Sequence, residues 1–252
     1  MNEVIGSKAS FLKLITVAIL LGSATLLHAG PPYSTDDPEP VGYRHGEVYF
    51  GMIHERGPEG SSGAGPFVEF NYGAAENVHL HLILPLAYSR PVTGPNTYGF
   101  GDVELGVKLR FVQEEGGMPM VGTFPLIEVP SGSEEKGLGA GYVHAYLPLW
   151  IQKSFGSWTT YAGGGYWINP GPRNSNYAFF GWQVQRQFSK QLALGGEVFH
   201  TTADTLDGVG TSRFNVGMVL DITKSNHFLV SAGHSFTGYS MHQAYFAYQF
   251  TF

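Results

Sequence analysis

The chain ends Tyr245-Phe246-Ala247-Tyr248-Gln249-Phe250-Thr251-Phe252, and a two-residue period sends Phe246, Tyr248, Phe250 and Phe252 to one face of a strand and Ala247, Gln249 and Thr251 to the other. That ending suits the closing strand of a membrane barrel, with rings toward lipid and small or polar residues toward a lumen. A two-sheet sandwich accommodates the same alternation with the rings in its core.

The start of the chain separates these alternatives further. Lys8 and Lys13 precede the apolar run Leu14-Ile15-Thr16-Val17-Ala18-Ile19-Leu20-Leu21, and Leu27-His28-Ala29 follows. A basic region, a short apolar region and a small residue at the cut read as a secretory signal, residues 1–29, removed after about Ala29. A membrane anchor is the competing reading. The chain has no cysteine, so neither a lipid-bearing cysteine nor a disulfide framework is available to it.

Past residue 29 there is no apolar run long enough for a membrane helix. Yet 43% of the chain is hydrophobic, 14% aromatic and only 13% charged, too little charge for an ordinary soluble surface. Glycine occupies 35 of 252 positions, roughly double its usual share, and is scattered in a way that suits turns and curvature in a closed sheet. The formal charge of −6 argues against a nucleic-acid partner.

Residues 30–42 are too rich in proline and acid for a strand and read as a periplasmic lead-in that reaches the barrel mouth. From residue 43 to 252 the pattern predicts an all-β, antiparallel transmembrane barrel. Its strands fall near 43–54, 64–73, 77–87, 100–113, 118–128, 139–151, 156–168, 176–188, 191–202, 210–221, 226–236 and 240–252. About twelve strands is an even number, as a single-chain bacterial barrel requires. Short connections near residues 74–76, 114–117, 152–155, 189–190 and 222–225 alternate with longer ones after strands one, three, five, seven and nine, which puts both ends of the barrel on the periplasmic side of a bacterial outer membrane.

In the fourth strand Val103, Leu105, Val107, Leu109 and Phe111 alternate with Asp102, Glu104, Gly106, Lys108 and Arg110. In the third, Val78, Leu80, Leu82, Leu84 and Leu86 oppose His79, His81, Ile83 and Pro85. In the tenth, Phe214, Val216, Met218 and Leu220 oppose Arg213, Asn215, Gly217 and Asp221. The apolar sets are expected to meet lipid. Tyr88, Trp150, Trp158, Trp167, Tyr177 and Tyr239 are expected in the interfacial girdles.

Candidates for the lumen are Glu69, Asp102, Glu104, Lys108, Arg110, Glu197, Arg213 and Asp221. Acids and bases facing one another shape either a water-filled path with a charge preference or a closed ion-pair core. Tyr142, Tyr146, Trp158 and Tyr166 are candidate inward rings for an apolar or aromatic solute. No Gly-x-Ser-x-Gly turn is present, and the serines and histidines are scattered, so the reading is non-enzymatic. His79 and His81 share a face, and His144, His200, His234 and His242 lie in other strands, but no third ligand is identified and no metal or cofactor is expected. Acid pairs at 134–135 and within 204–207 suit either divalent ions bridging to lipopolysaccharide or plain solvated charge.

Three phrases carry a resemblance: Ser34-Thr35-Asp36-Asp37-Pro38-Glu39-Pro40; Gly99-Phe100-Gly101-Asp102-Val103-Glu104-Leu105-Gly106-Val107-Lys108; and Pro148-Leu149-Trp150-Ile151-Gln152-Lys153-Ser154-Phe155-Gly156-Ser157-Trp158 with Gly163-Gly164-Gly165-Tyr166. They resemble the outer-membrane transporter family named for the meta-cleavage pathway of phenol degradation. The sequence departs from that family at Val41–Glu47, where members often carry a Trp-Glu pair. The resemblance implies a secreted barrel passing phenol-like or other hydrophobic compounds, without catalytic residues. The expected protein is thus a passive channel or transporter for small solutes, aromatic or hydrophobic ones among them, acting as a monomer among outer-membrane lipid and lipopolysaccharide. A plugged barrel with a structural or surface-interaction role is the alternative.

Overall fold

The computed structural model describes residues 32–252; the expected signal segment lies outside them. Among the described residues the strands are β1 (Gly46–Gly57), β2 (Gly60–Ala75), β3 (Val78–Pro91), β4 (Thr97–Phe100), β5 (Val103–Val112), β6 (Met120–Thr123), β7 (Leu126–Val129), β8 (His144–Phe155), β9 (Trp158–Ile168), β10 (Tyr177–Gln187), β11 (Leu192–Thr201), β12 (Thr211–Asp221), β13 (Asn226–Thr237) and β14 (His242–Thr251). They build twelve staves, because β4 and β5 both pair with β3, and β6 and β7 both lie between β5 and β8. The first of these staves is interrupted at Gly101-Asp102, the second at Phe124-Pro125. Proline has no N–H for the ladder, so a break there leaves no donor stranded.

All neighbours are antiparallel, and the barrel closes where β1 meets β14, from Glu47 opposite Thr251 to Arg56 opposite His242. At the seam Gly46 and Phe252 exchange two backbone hydrogen bonds of 2.8 and 2.9 Å. Closure removes the sheet edge whose unpaired N–H and C=O groups hydrocarbon could not satisfy.

The two faces differ as the alternation requires. Phe246, Phe250 and Phe252 point outward while Ala247 and Gln249 are buried inside. Leu80 and Leu84 are exposed on the outer wall and His79 and His81 are buried, and in β5 Leu105 and Phe111 face out while Lys108 is buried. Val216 is 61% exposed on the outer wall beside Asn215 at 1% on the inner one. Replacing Val216 with arginine is expected to cost about 2–4 kcal/mol near mid-bilayer, read from denaturant titration of the barrel in vesicles. Unchanged stability of the Val216→Arg barrel would contradict this orientation.

Four expectations need correction. The connection after the first strand is not a long loop but the two residues Pro58-Glu59, because β1 and β2 pair with each other, and with β14 and β3, almost up to the turn. Trp150, at 1% exposure, packs inside, and Trp167 and Tyr177 stack in register on the inner face with Tyr146, so these three rings leave the girdles. Trp158 and Tyr166 are exposed on the outer wall rather than the inner one. Tyr142 lies in the connection between β7 and β8. The run Ala162-Gly163-Gly164-Gly165 carries no alternation, and a strand without alternation does not reveal its register.

Inside are two apolar clusters. One gathers Tyr49, Phe67, Ala193, Val219, Leu229, Tyr245 and Ala247; the other gathers Phe124, Tyr146 and Trp150, with Leu126, Trp167 and Phe179 against it.

Candidate functional site

The lumen is occupied by the chain's own lead-in. Thr35 and Asp37 have no solvent exposure, and the contacts of Pro32–Val41 reach the middle of staves all round the barrel. The Glu197 carboxylate accepts the backbone N–H groups of Ser34 and Thr35 at 2.8 and 2.7 Å, together with Asn215 Nδ2 at 2.6 Å. Ser231 Oγ donates to Pro32 O at 2.5 Å and Gln243 Nε2 to Ser34 Oγ at 3.0 Å. Across the lumen Lys108 Nζ lies 2.9 Å from Asp36 Oδ1 and 3.6 Å from Asp37 Oδ2, with its charge 4.9 Å from the centre of the Phe124 ring. Removing either partner of such a buried pair strands the other, at a cost of about 3–5 kcal/mol.

Glycines on the inner wall make room for this segment. A Cβ on Gly181 would lie 2.2 Å from Thr35 Oγ1, and one on Gly217 2.9 Å from the Tyr33 ring. Gly195 faces the Tyr33 hydroxyl and Gly122 faces Pro38 in the same way. The proline-rich stretch cannot pair as a strand, so its N–H groups find carboxylates and its rings find glycine.

Burial, opposed by Lys108 and reinforced by Asp36 and Glu39, pushes the Asp37 carboxyl well above the ordinary carboxylate range. Burial raises Glu39 too, with Gln152 and the nearby Arg110 and Lys108 pulling the other way. Both groups therefore hold their protons more tightly docked than released. Docking is favoured in acid and loses this contribution as pH rises through the raised values. Leak through the reconstituted barrel is expected to increase as pH rises, and Asp37→Asn should flatten that dependence; a leak that increases toward acid would contradict the sign.

The sequence candidates separate into three groups. Glu69, Glu104, Lys108, Glu197 and Arg213 meet in the lumen. His81 lies between Asn71 Oδ1 at 2.6 Å and Glu104 Oε1 at 2.9 Å, with Glu69 3.7 Å away, and Arg213 bonds Glu55 at 2.8 Å over the Phe199 ring. Asp102 instead accepts the N–H groups of Gly132 and Ala140 at 2.8 and 2.6 Å and ties down the connection between β7 and β8. Arg110 and Asp221 stand at the periplasmic rim, the first donating to Asn77, the second paired with His227. At that end a cavity of about 640 Å³ is lined by Asp36, Glu39, Glu47, His79, Arg110 and Lys224 among others. No group of three or more metal-ligating side chains occurs among the described residues.

Toward the outer end one wall is aromatic. Tyr146, Trp167 and Tyr177 stack in sequence, with ring centres 4.7 and 5.9 Å apart and planes within 17°, and Phe179 and Phe199 continue the wall at 5.6 Å. The Tyr146 hydroxyl is buried without a hydrogen-bond partner. Beside this wall, on the staves that adjoin Tyr146, Glu104 pairs in register with Glu128 and Glu128 with His144. Sequence reading missed the glycine cradle and Glu128, and assigned Trp150 and Trp167 to the girdles instead of the inner wall. The sequence signal was present only as small residues recurring at inward positions.

Among solved structures the chain is similar to an outer membrane channel from Pseudomonas putida F1, with a TM-score of 0.71 at 15% identity over 89% of this chain and 100% of that one. It is also similar to the KdgM porin in complex with disordered oligogalacturonate, with a TM-score of 0.57 at 10% identity over 82% and 99% of the two chains. The NanC porin gives 0.57 at 8% identity over 81% and 98%. Identities this low establish the fold, that of a bacterial outer-membrane channel-type barrel. No family model and no curated protein matches the chain.

Proposed function

We propose that the protein is a passive outer-membrane channel for small aromatic or hydrophobic solutes, narrowed by its own lead-in. The stacked wall of Tyr146, Trp167 and Tyr177 carries this reading. Successive ring edges along this wall offer a planar solute repeated weak edge-to-face contacts. Weak, repeated contacts allow release where one tight site would hold the solute. The resemblance to the phenol-degradation transporter family points to the same solute class. No residue is assigned a catalytic role, and the barrel works as a monomer.

The lead-in also favours a second reading, a plugged barrel with a structural or surface role. One experiment separates the two. The mature chain is placed in lipid vesicles, and entry of a membrane-impermeant aromatic acid is compared with that of a sugar of equal size. Faster entry of the acid, lost in Trp167→Ala, is the expected result. Equal entry would indicate a general pore, and no entry above protein-free vesicles, with insertion verified, would favour the plugged barrel.

A further inference from the structure

The outer wall carries a polar row that neither the lumen nor the lead-in uses. Across five consecutive staves Arg90 stands opposite Ser61, Ser61 opposite Arg56, Arg56 opposite His242, and His242 opposite His234. Their neighbours Glu55, Gln243 and Ser235 turn inward, where they bond Arg213, Ser34 and the Tyr239 carbonyl, so the row itself leaves the barrel on the lipid side. At a strand spacing of about 4.8 Å it runs roughly 19 Å around the circumference. It lies at the end that bears the long connections, the extracellular end in this fold.

Arg56, Arg90 and His242 are exposed. Neither arginine is paired with a carboxylate among the described residues. The Arg90 guanidinium lies 5.3 Å from the Tyr88 ring centre, and His54 Nδ1 sits 2.5 Å from the Tyr88 hydroxyl on the same patch. The His234 and His242 rings meet edge to face at 4.3 Å. The adjoining turn carries an acid, Glu59. Further toward the membrane, past His54 and Ala244, β1 and β14 present the exposed pair Met52 and Phe246, and on β12 Phe214, also exposed, stands level with His234.

We propose that this face binds a phosphorylated glycolipid of the outer leaflet. Its phosphates would meet Arg56 and Arg90, with His234 and His242 as neighbouring polar contacts, while its acyl chains cover Met52, Phe214 and Phe246. Charge complementarity and depth both argue for this occupant: unpaired guanidinium groups suit bidentate contact with phosphate, and apolar residues beside the row and farther down β1 and β14 suit chains attached to the same headgroup. A soluble anion would leave those residues uncovered.

The test uses the full mature barrel in detergent, titrated separately with bisphosphorylated lipid A, fully dephosphorylated lipid A, phosphatidylglycerol and inorganic phosphate. Saturable binding of the bisphosphorylated lipid is expected, weakened about tenfold or more by loss of the phosphates or by the pair Arg56→Gln and Arg90→Gln. Arg186→Gln should change nothing, since Arg186 stacks over Trp158 and Phe188 at the opposite rim. Equal binding of the dephosphorylated lipid, an unaffected double variant, or an equal loss in Arg186→Gln would overturn the site. Equally tight phosphatidylglycerol would overturn the choice of glycolipid, and displacement of the lipid by inorganic phosphate alone would overturn a lipid occupant. Should the double variant fail to assemble, as read from heat-dependent gel migration, the comparison of the two lipid A forms on the unaltered chain decides.

Discussion

Deleting Pro32–Val41 is expected to raise the ion conductance of the reconstituted barrel severalfold without preventing its assembly. The wall is held by backbone ladders that run through twelve staves and close between β1 and β14, and the deleted residues supply none of those rungs. What the wall loses is a set of side-chain contacts: Glu197 loses two N–H donors and Lys108 loses two carboxylates. In a dry interior each stranded charge would cost several kcal/mol. The deletion, however, admits water into the space it vacates, and water restores most of that solvation. Conductance in planar bilayers, with insertion checked by gel migration, reads the outcome. Unchanged conductance in an assembled barrel would mean that the lumen is closed by something other than the lead-in.

The second large effect comes from the pair Gly181→Val and Gly217→Val. The three atoms nearest to a Cβ at Gly181 all belong to Thr35, and those nearest at Gly217 all belong to Tyr33. New side chains there collide with the lead-in and not with the wall, and valine suits a strand. The lead-in should be evicted, with leak approaching that of the deletion. In the deletion background the same two substitutions should add little, because the atoms they strike are gone. Full additivity would show that the valines act on the wall itself. This makes the pair a sharper test of the plug than Lys108→Met, whose effect mixes release of the lead-in with stranding of Asp36 and Asp37.

Much of the wall was legible because strand parity is a local property. In β3, β5 and β12 a recurring alternation tells lipid side from inner side, and the structure keeps Leu80, Leu105 and Val216 outside with His81, Lys108 and Asn215 inside. Parity failed where its carriers were missing. The glycine run of β9 hides its register, so Trp158 and Tyr166 are misread as inward rings and Trp167 as a girdle ring, and the two-residue turn after β1 is mistaken for a long loop because its strands pair almost up to the turn without a clear alternation to mark them.

The lumen was less legible for a different reason. Glu197, Lys108 and Arg213 could be recognised as inward charges, but their partners lie 162, 72 and 158 positions away in the chain, beyond the reach of any periodic pattern. Asp102 shared the inward parity of Glu104 and Lys108, yet its place at the break between β4 and β5 lets it bind loop N–H groups instead.

By itself the sequence determined a closed antiparallel barrel of twelve staves with an apolar exterior, since alternation, turn residues and the need to satisfy every backbone group in lipid leave few other solutions. Only the tertiary structure decided what fills the barrel. Curvature brings Gly181, Gly195 and Gly217 on adjoining or nearby staves into one concave wall facing Lys108 across the lumen, and a segment too proline-rich to join the sheet comes to rest between them, because there its N–H groups and acids find partners that neither lipid nor a bare strand could offer.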